Sequence, residues 1–155
     1  MRKGQTALEY LMTYGWAILI VIIVVAALYA LGLTKPCRWT GTQIREFADF
    51  KVENPKYDTA NGQISFDISY LKPGTVVLDS VSVSGDVGTI TIDPTSPLSA
   101  GDTISSTPSR LILNGTLTKS SGDCYSIEVT IYYNVSTAAG VETFSTIGRI
   151  SGVAS

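Results

Sequence analysis

Histidine is absent from this 155-residue sequence, and cysteine occurs only twice. Without histidine, the chain lacks the commonest general base and the commonest metal ligand in proteins. Two cysteines cannot complete a four-ligand Cys/His zinc site. Phosphate binding needs clustered Lys and Arg, whereas this chain has a net charge of −2 and a pI near 5.0. These features argue against a zinc protein, a nucleic-acid-binding protein and most classes of enzyme.

Catalytic and cofactor-binding motifs are also missing. The sequence contains no G-x-S-x-G, P-loop, H-E-x-x-H or calcium-loop pattern. Aspartates are scattered near predicted turns, where their side chains favour turn formation. These residues are Asp49, Asp67, Asp79, Asp86, Asp93, Asp102 and Asp123. We therefore expect a protein that is not an enzyme and that holds no metal and no cofactor.

Most of the apolar density lies in one N-terminal run. No charged residue occurs between Glu9 and Lys35, and residues 16–33 are almost entirely apolar. As a helix, that segment spans about 27 Å at ~1.5 Å per residue, which approaches the thickness of a bilayer core. Gly32 and the Lys35-Pro36 pair are typical helix stop signals. The pattern predicts one helix from about residue 6 to residue 33.

The charges that flank this helix predict its orientation. Arg2 and Lys3 precede the apolar run, and an acidic body rich in Ser and Thr follows it. Because basic flanks stay on the cytoplasmic side, we expect the N-terminus inside and the body outside. The run is longer than the apolar core of an ordinary secretory signal, and no A-x-A cleavage site follows it. This is an unusual start for a secreted protein.

The junction before the helix reads Arg2-Lys3-Gly4-Gln5-Thr6-Ala7-Leu8-Glu9. A basic pair and a glycine stand directly before the apolar segment, and a glutamate falls five residues after the glycine. This arrangement resembles the class III signal peptide of archaeal type IV pilin-like proteins. The resemblance implies that a membrane peptidase cuts between Gly4 and Gln5 and that the apolar segment stays on the mature protein. Glu9 then becomes the fifth residue of that protein.

In this family the glutamate is thought to pair with the N-terminal amine of a neighbouring subunit. Such a pair would offset the desolvation of both charges. It would also set the axial register, as a buried polar group does in a coiled coil. Glu9 is therefore the expected subunit-assembly residue. The simpler interpretation is a first-turn acid that interacts favourably with the helix dipole.

The resemblance also implies partners and a location. The expected partners are identical subunits in a helical filament, a prepilin peptidase, the membrane assembly machinery and, before assembly, the membrane itself. The expected location is a cell-surface filament that serves adhesion. Three alternatives stay open: an archaellum-like motility filament, a membrane-anchored binding module that does not polymerise, and a surface enzyme, for which the sequence offers no positive evidence. The expected segments are a leader at 1–4, a helix at 5–33, a linker at 34–42 and a head at 43–155.

The head sequence alternates apolar and polar residues in short runs, which is typical of half-buried strands. Strands are predicted at residues 64–70, 80–84, 89–92, 110–118, 127–135 and 143–150. The last is the weakest, since its large apolar residues fall three apart. We expect seven or eight short strands in all, these six among them, and such a pattern predicts one antiparallel β-sandwich. An immunoglobulin-like head on a helical tail is also what the pilin resemblance implies, so the expected fold class is α+β.

Cys37 and Cys124 most simply form one disulfide if the head lies outside the cytosol. Closing that span would contribute about 4.6 kcal/mol in the chain-entropy model. Two free buried thiols are the alternative. A redox or nucleophilic role is disfavoured, since there is no histidine partner and no C-x-x-C spacing.

Two N-x-[ST] sequons begin at Asn114 and Asn134, and both are candidate glycosylation sites on an exported protein. Asn114-Gly115 also has the sequence of a hairpin turn between two apolar runs. The adjacent pair Tyr132-Tyr133 falls within a predicted strand, so one of the two rings should face outward.

Overall fold

A computed structural model describes residues 3–33, 35–45 and 47–155, with side chains from residue 7 onward. The chain divides into two compact units, Met1–Pro36 and Cys37–Ser155. The described part of the first unit is helical, and that of the second is almost wholly β-structure. The predicted α+β class, with an apolar helix followed by a β-sandwich, is confirmed.

Helix α1 spans Lys3–Ala30. It ends three residues before the predicted boundary because Gly32 adopts a left-handed conformation with φ of 68°. The Gly32 amide then bonds to the Tyr29 carbonyl at 3.0 Å, and the Leu33 amide bonds to the Leu28 carbonyl at 3.2 Å. This pair of bonds is a Schellman motif, which satisfies the last carbonyls of a helix. The prediction of Gly32 as the stop signal is confirmed.

Two antiparallel sheets form the second unit, after a short helix α2 at Cys37–Thr40. Its described strands are β1 Gln43–Arg45, β2 Phe50–Asp58, β3 Gln63–Tyr70, β4 Val76–Gly85, β5 Val87–Ile92, β6 Thr103–Ile104, β7 Ser109–Leu117, β8 Cys124–Thr137 and β9 Gly140–Val153. One sheet has the order β1-β9-β8-β4-β6, and the other has the order β2-β3-β7-β5.

The strand order is immunoglobulin-like. In immunoglobulin domains strands A, B, E and D form one sheet, and strands C, F and G form the other. Here the order β2-β3-β7-β5 takes the A-B-E-D positions, while β4, β8 and β9 take the C-F-G positions. The very short strands β1 and β6 extend the second sheet at its two edges.

The core lies between the sheets and follows the predicted alternation. On β3 the side chains of Ile64, Phe66 and Ile68 are fully buried, and on β8 those of Ile127, Val129 and Ile131 are. These strands were the clearest in the sequence, because inward and outward residues alternate with period two. All the buried apolar side chains of the described residues belong to the second unit, so its core is self-contained.

Strand β2 was not predicted, because its sequence contains a proline and breaks the alternation. Pro55 is tolerated since β2 lies at the edge of its sheet and carries an irregularity there. The register against β3 shifts between Glu53 and Lys56, and Asn54 has a positive φ of 48°. The irregularity absorbs the proline and lets pairing continue on both sides of it.

The spacing of apolar residues in β9 also has a structural explanation. Ile150 is buried opposite Ile127, whereas Ile147 points outward opposite Thr130. The intervening inward position is Gly148, and the Phe47 ring fills the space where its side chain would lie. Phe47, from another part of the chain, therefore takes the place of the missing apolar side chain. For this reason the sequence of β9 does not show the usual alternation of apolar and polar residues.

Candidate functional site

The apolar span of α1, residues 7–30, is exposed along its length. The segment Ala7–Ala30 has a mean hydropathy of 2.6, and none of it is buried. At ~1.5 Å per residue it is about 36 Å long, enough to cross a bilayer core of ~30 Å. A helix that is apolar on every side is normally buried in a core or in a membrane. This helix therefore has the length and composition of a membrane anchor or a signal sequence.

Glu9 is the only charged residue of the span Ala7–Ala30. It is exposed, and its backbone carbonyl accepts a hydrogen bond of 2.9 Å from the Thr13 hydroxyl. On the next positions, the Tyr10 hydroxyl donates to the Tyr14 hydroxyl at 3.1 Å, with the ring centroids 4.6 Å apart. The first turns of the helix thus carry a polar stripe, while the rest of the span is apolar.

The expected cleavage position lies at the start of α1. Gly4 and Gln5 belong to its first turn in the uncut chain. The Gln5 side chain and Arg2, the first residue of the basic pair, lie outside the described part of the structure. The position therefore remains a prediction from the sequence pattern.

Cys37 and Cys124 form a disulfide, with their Cα atoms 5.7 Å apart. Cys37 begins α2, and Cys124 begins β8, where it pairs with Val153 of β9. Both cysteines belong to the second unit. The bond therefore ties the start of the head to one end of its longest hairpin.

The two sequons differ in structure. Asn134 lies on the outward face of β8, and its side-chain oxygen accepts a hydrogen bond of 2.6 Å from the Thr143 hydroxyl. Asn114 lies within β7, between β3 and β5, and its side-chain amide donates to Asp93 at 2.6 Å. The Asn114 carbonyl oxygen is buried with no hydrogen-bond partner among the described residues. In the Asn114 sequon, the side-chain nitrogen that would carry a glycan therefore already donates a hydrogen bond to Asp93.

The predicted hairpin turn at Asn114-Gly115 is wrong. Both residues lie inside strand β7, which is paired on both sides. A side chain at Gly115 would collide with the Thr89 carbonyl and the Ile90 side chain of β5. This glycine is therefore required for the close approach of a neighbouring strand and not for a turn.

Asp93, beneath the same region, is nearly buried and accepts several hydrogen bonds. The Thr95 amide and the Thr95 hydroxyl both donate to it at 2.7 Å. The pKa of Asp93 lies below its ordinary value, because of these two bonds and that from Asn114. It closes a turn, as predicted for the scattered aspartates. No cluster of three metal-ligating side chains occurs in the described ranges.

A set of residues at one end of the sandwich was not predicted from the sequence. The Tyr133 hydroxyl donates to the Asp49 carboxylate at 2.8 Å, and the Lys72 ammonium pairs with the other Asp49 oxygen at 2.5 Å. The bonds from Lys72 and Tyr133 lower the pKa of Asp49. Burial, and then the contact with Asp49, raise the pKa of Tyr133. The only sequence signal was the Tyr132-Tyr133 pair.

Aromatic rings pack around Tyr133 at this end. Its ring stacks on Phe144 at a centroid distance of 5.9 Å and meets Phe50 edge-on at 5.0 Å. Tyr133 is only 2% exposed, whereas Phe144 is 44% exposed and Tyr132 is 37% exposed. The prediction that one ring of the tyrosine pair faces outward is confirmed.

The described candidate residues lie on several elements of the fold. The cysteines come together, but Glu9, Asn114 and Asn134 lie on three separate elements. Comparison with protein-family models and with curated proteins finds no match to this chain. The function is therefore inferred from its own residues and their geometry.

Proposed function

We propose that this chain is the structural subunit of an archaeal type IV pilus-like extracellular filament that serves surface adhesion. The observation that carries the proposal is the span Ala7–Ala30 of α1, which is strongly apolar and exposed throughout, together with the pilin-like junction at Gly4, Gln5 and Glu9. Because the head core is complete without this helix, α1 is available for contacts outside its own chain.

The proposed assembly begins in the membrane. The basic residues before the helix orient insertion, and a prepilin peptidase removes residues 1–4. An ATP-driven machine then extracts the helix from the membrane. Its contacts with lipid are replaced by contacts with the same helix of neighbouring subunits. Small residues permit close packing between such helices. Gly15, Ala17, Ala26, Ala27 and Ala30 provide these positions.

A filament forms if one surface of each subunit contacts a different surface of the next subunit. Head-to-tail contacts that do not close into a ring generate an open helical polymer. The β heads would form its outer sheath, which is rich in Ser and Thr, and the Cys37–Cys124 disulfide would hold each head together outside the cell.

The test is mass spectrometry of native protein from two fractions, material sheared from the cell surface and washed membranes. We expect sheared subunits that begin at Gln5, and filaments in the same fraction by electron microscopy. An intact Met1 terminus found only in membranes would instead indicate a permanent anchor and would refute the filament proposal.

A motility assay separates adhesion from swimming. Cells that lack this chain should swim normally and should attach less well to surfaces. Loss of swimming together with loss of sheared filaments would assign the chain to an archaellum-like filament.

A further inference from the structure

A shallow cavity opens at the end of the sandwich where β8 finishes and β9 begins. Its volume is about 160 Å³, and it is lined by Tyr70, Lys72, Tyr133, Val135, Thr137 and Phe144. The start of β8 carries the disulfide, and Tyr133 lies nine residues further along the strand. At ~3.3 Å per residue the cavity is roughly 30 Å from the disulfide. It therefore lies at the opposite end of the head from Cys37.

One wall of the cavity is an exposed aromatic ring on a rigid support. Phe144 is 44% exposed and stacks on Tyr133, which is itself buried and held edge-on against Phe50. Tyr70 packs against Phe50 as well, at a centroid distance of 5.5 Å. The buried rings fix the orientation of Phe144, so its exposed surface is presented with little conformational freedom.

The polar groups beside this ring offer both donors and acceptors. Asp49 and Lys72 form an ion pair, so the mouth of the cavity carries no net charge. The Lys72 ammonium has three donors and uses one on Asp49, and it is 59% exposed. The Thr137 hydroxyl donates to the Gly140 carbonyl, which leaves its lone pairs as acceptors.

The size of the cavity restricts what can enter. Sites for drug-sized ligands usually measure about 300–1,000 Å³. The volume here is about 160 Å³, which suits a single small ring. A charged ligand would have to compete with the existing pair between Lys72 and Asp49. A neutral ring with one apolar face and several hydroxyl groups would match both the aromatic wall and the mixed polar rim.

We propose that this cavity binds a neutral pyranose ring of a carbohydrate. The C–H face of the sugar lies against Phe144, and its hydroxyl groups bond to Lys72 and Thr137. The inference goes beyond the proposed filament function and does not depend on it, because all these residues belong to the head unit and none to α1.

The test is saturation-transfer NMR on the full chain in micelles of a polyoxyethylene detergent, since glycoside detergents would compete. The probes are the methyl glycosides of glucose, galactose and mannose, with methylphosphonate and tetramethylammonium as charged comparators whose methyl protons the experiment detects. We expect transfer to the ring protons of at least one sugar, and none to tetramethylammonium. The unassembled chain is used, so the result is independent of whether filaments form.

The matched variants are Phe144→Ala and Val141→Ala, which alter exposed residues of the same strand inside and outside the cavity lining. Phe144→Ala should weaken sugar binding about five- to tenfold, in line with the loss of one aromatic contact. Val141→Ala should leave the affinity unchanged. If Phe144→Ala disturbs the fold, as judged by near-ultraviolet circular dichroism, Lys72→Met replaces it with the same expected loss. Absence of sugar binding, binding of a charged probe alone, or sugar binding that survives the cavity variant would each overturn the proposal.

Discussion

The Phe47 ring occupies the space that a side chain at position 148 would need. A Cβ atom on Gly148 would overlap three Phe47 ring carbons, far closer than van der Waals contact allows. Nearby, the Ala48 amide donates to the Thr146 hydroxyl at 3.3 Å, which holds this segment along β9. The two parts of the chain are about a hundred residues apart in sequence and depend on each other in the fold.

Gly148→Ala should destabilise the head, because the new methyl group would push against the Phe47 ring. Overpacking of this kind costs about 1–3 kcal/mol. Urea unfolding followed by near-ultraviolet circular dichroism, which reports on the buried tyrosines of the head, would measure the change. Ser145→Ala, at an exposed position on the same strand, should change the free energy of unfolding by less than about 0.5 kcal/mol. Equal stability of the two variants would show that Phe47 moves aside at no cost.

Removal of the disulfide should destabilise the head without changing its fold. The bond closes a span with a sequence separation of 87. Loss of such a bond typically costs about 2–5 kcal/mol. The double variant Cys37→Ser, Cys124→Ser should therefore unfold at lower urea concentration than the oxidised chain. Addition of a thiol reductant should lower the urea concentration at which the native protein unfolds by the same amount. It should leave the unfolding of the variant unchanged. A reductant effect on the variant would contradict this assignment.

The ion pair at the end of the sandwich should make stability depend on pH in the acid range. The folded-state pKa of Asp49 is below its ordinary value, so its contribution is fully present above the unfolded pKa of about 3.9 and is lost as pH falls through the folded pKa. Asp49→Asn should therefore flatten the decline of the thermal midpoint below about pH 4. Asp79→Asn, at an exposed site beside Ser80, is the control and should retain the wild-type profile.

Glycosylation should occur at Asn134 and not at Asn114 once the head has folded. The Asn114 amide donates to Asp93 inside the four-stranded sheet, whereas Asn134 faces outward on β8. Peptide mass spectrometry of the native protein should find added mass at Asn134 only. Ser136→Ala should abolish that mass, and Thr116→Ala should leave it unchanged. A glycan at Asn114 would mean that the residue is modified before β7 joins its neighbours.

Substitution of Glu9 should impair assembly while sparing expression. If the carboxylate pairs with a neighbouring N-terminal amine, removal of one partner costs about 3–5 kcal/mol. Glu9→Ala and Glu9→Gln should then reduce sheared filaments more than about tenfold while membrane levels stay constant. Glu142→Ala, an exposed acid on the head, should have no such effect. Normal filament yield from both Glu9 variants would show that the Glu9 carboxylate does not set the axial register of the subunits.

The helix and the clearest strands could be predicted from the sequence because local patterns encode them. An uninterrupted apolar run specifies a helix whose surface must be buried in lipid or protein. Gly32 ends this helix because glycine readily adopts the left-handed conformation found there. In β3 and β8, apolar inward residues alternate with mostly polar outward residues, so periodicity alone identifies these strands. The pairing of the cysteines followed from there being only two.

Other features depended on neighbours that are distant in the chain. Asn114-Gly115 has the local chemistry of a turn, but pairing with β3 on one side and β5 on the other places it inside a strand. Pro55 is compatible with β2 only because that strand lies at a sheet edge. The group formed by Asp49, Lys72 and Tyr133 likewise assembles from three separate segments.

The sequence by itself determined the apolar helix, the sandwich class of the head and the residues able to form a disulfide. Only the tertiary structure decided which asparagine is held inside a sheet, what fills the space beside Gly148 and where a cavity opens beside Phe144. The physical reason is that periodicity and turn chemistry act between close neighbours, whereas steric exclusion and hydrogen-bond pairing act between whichever groups the fold brings into contact.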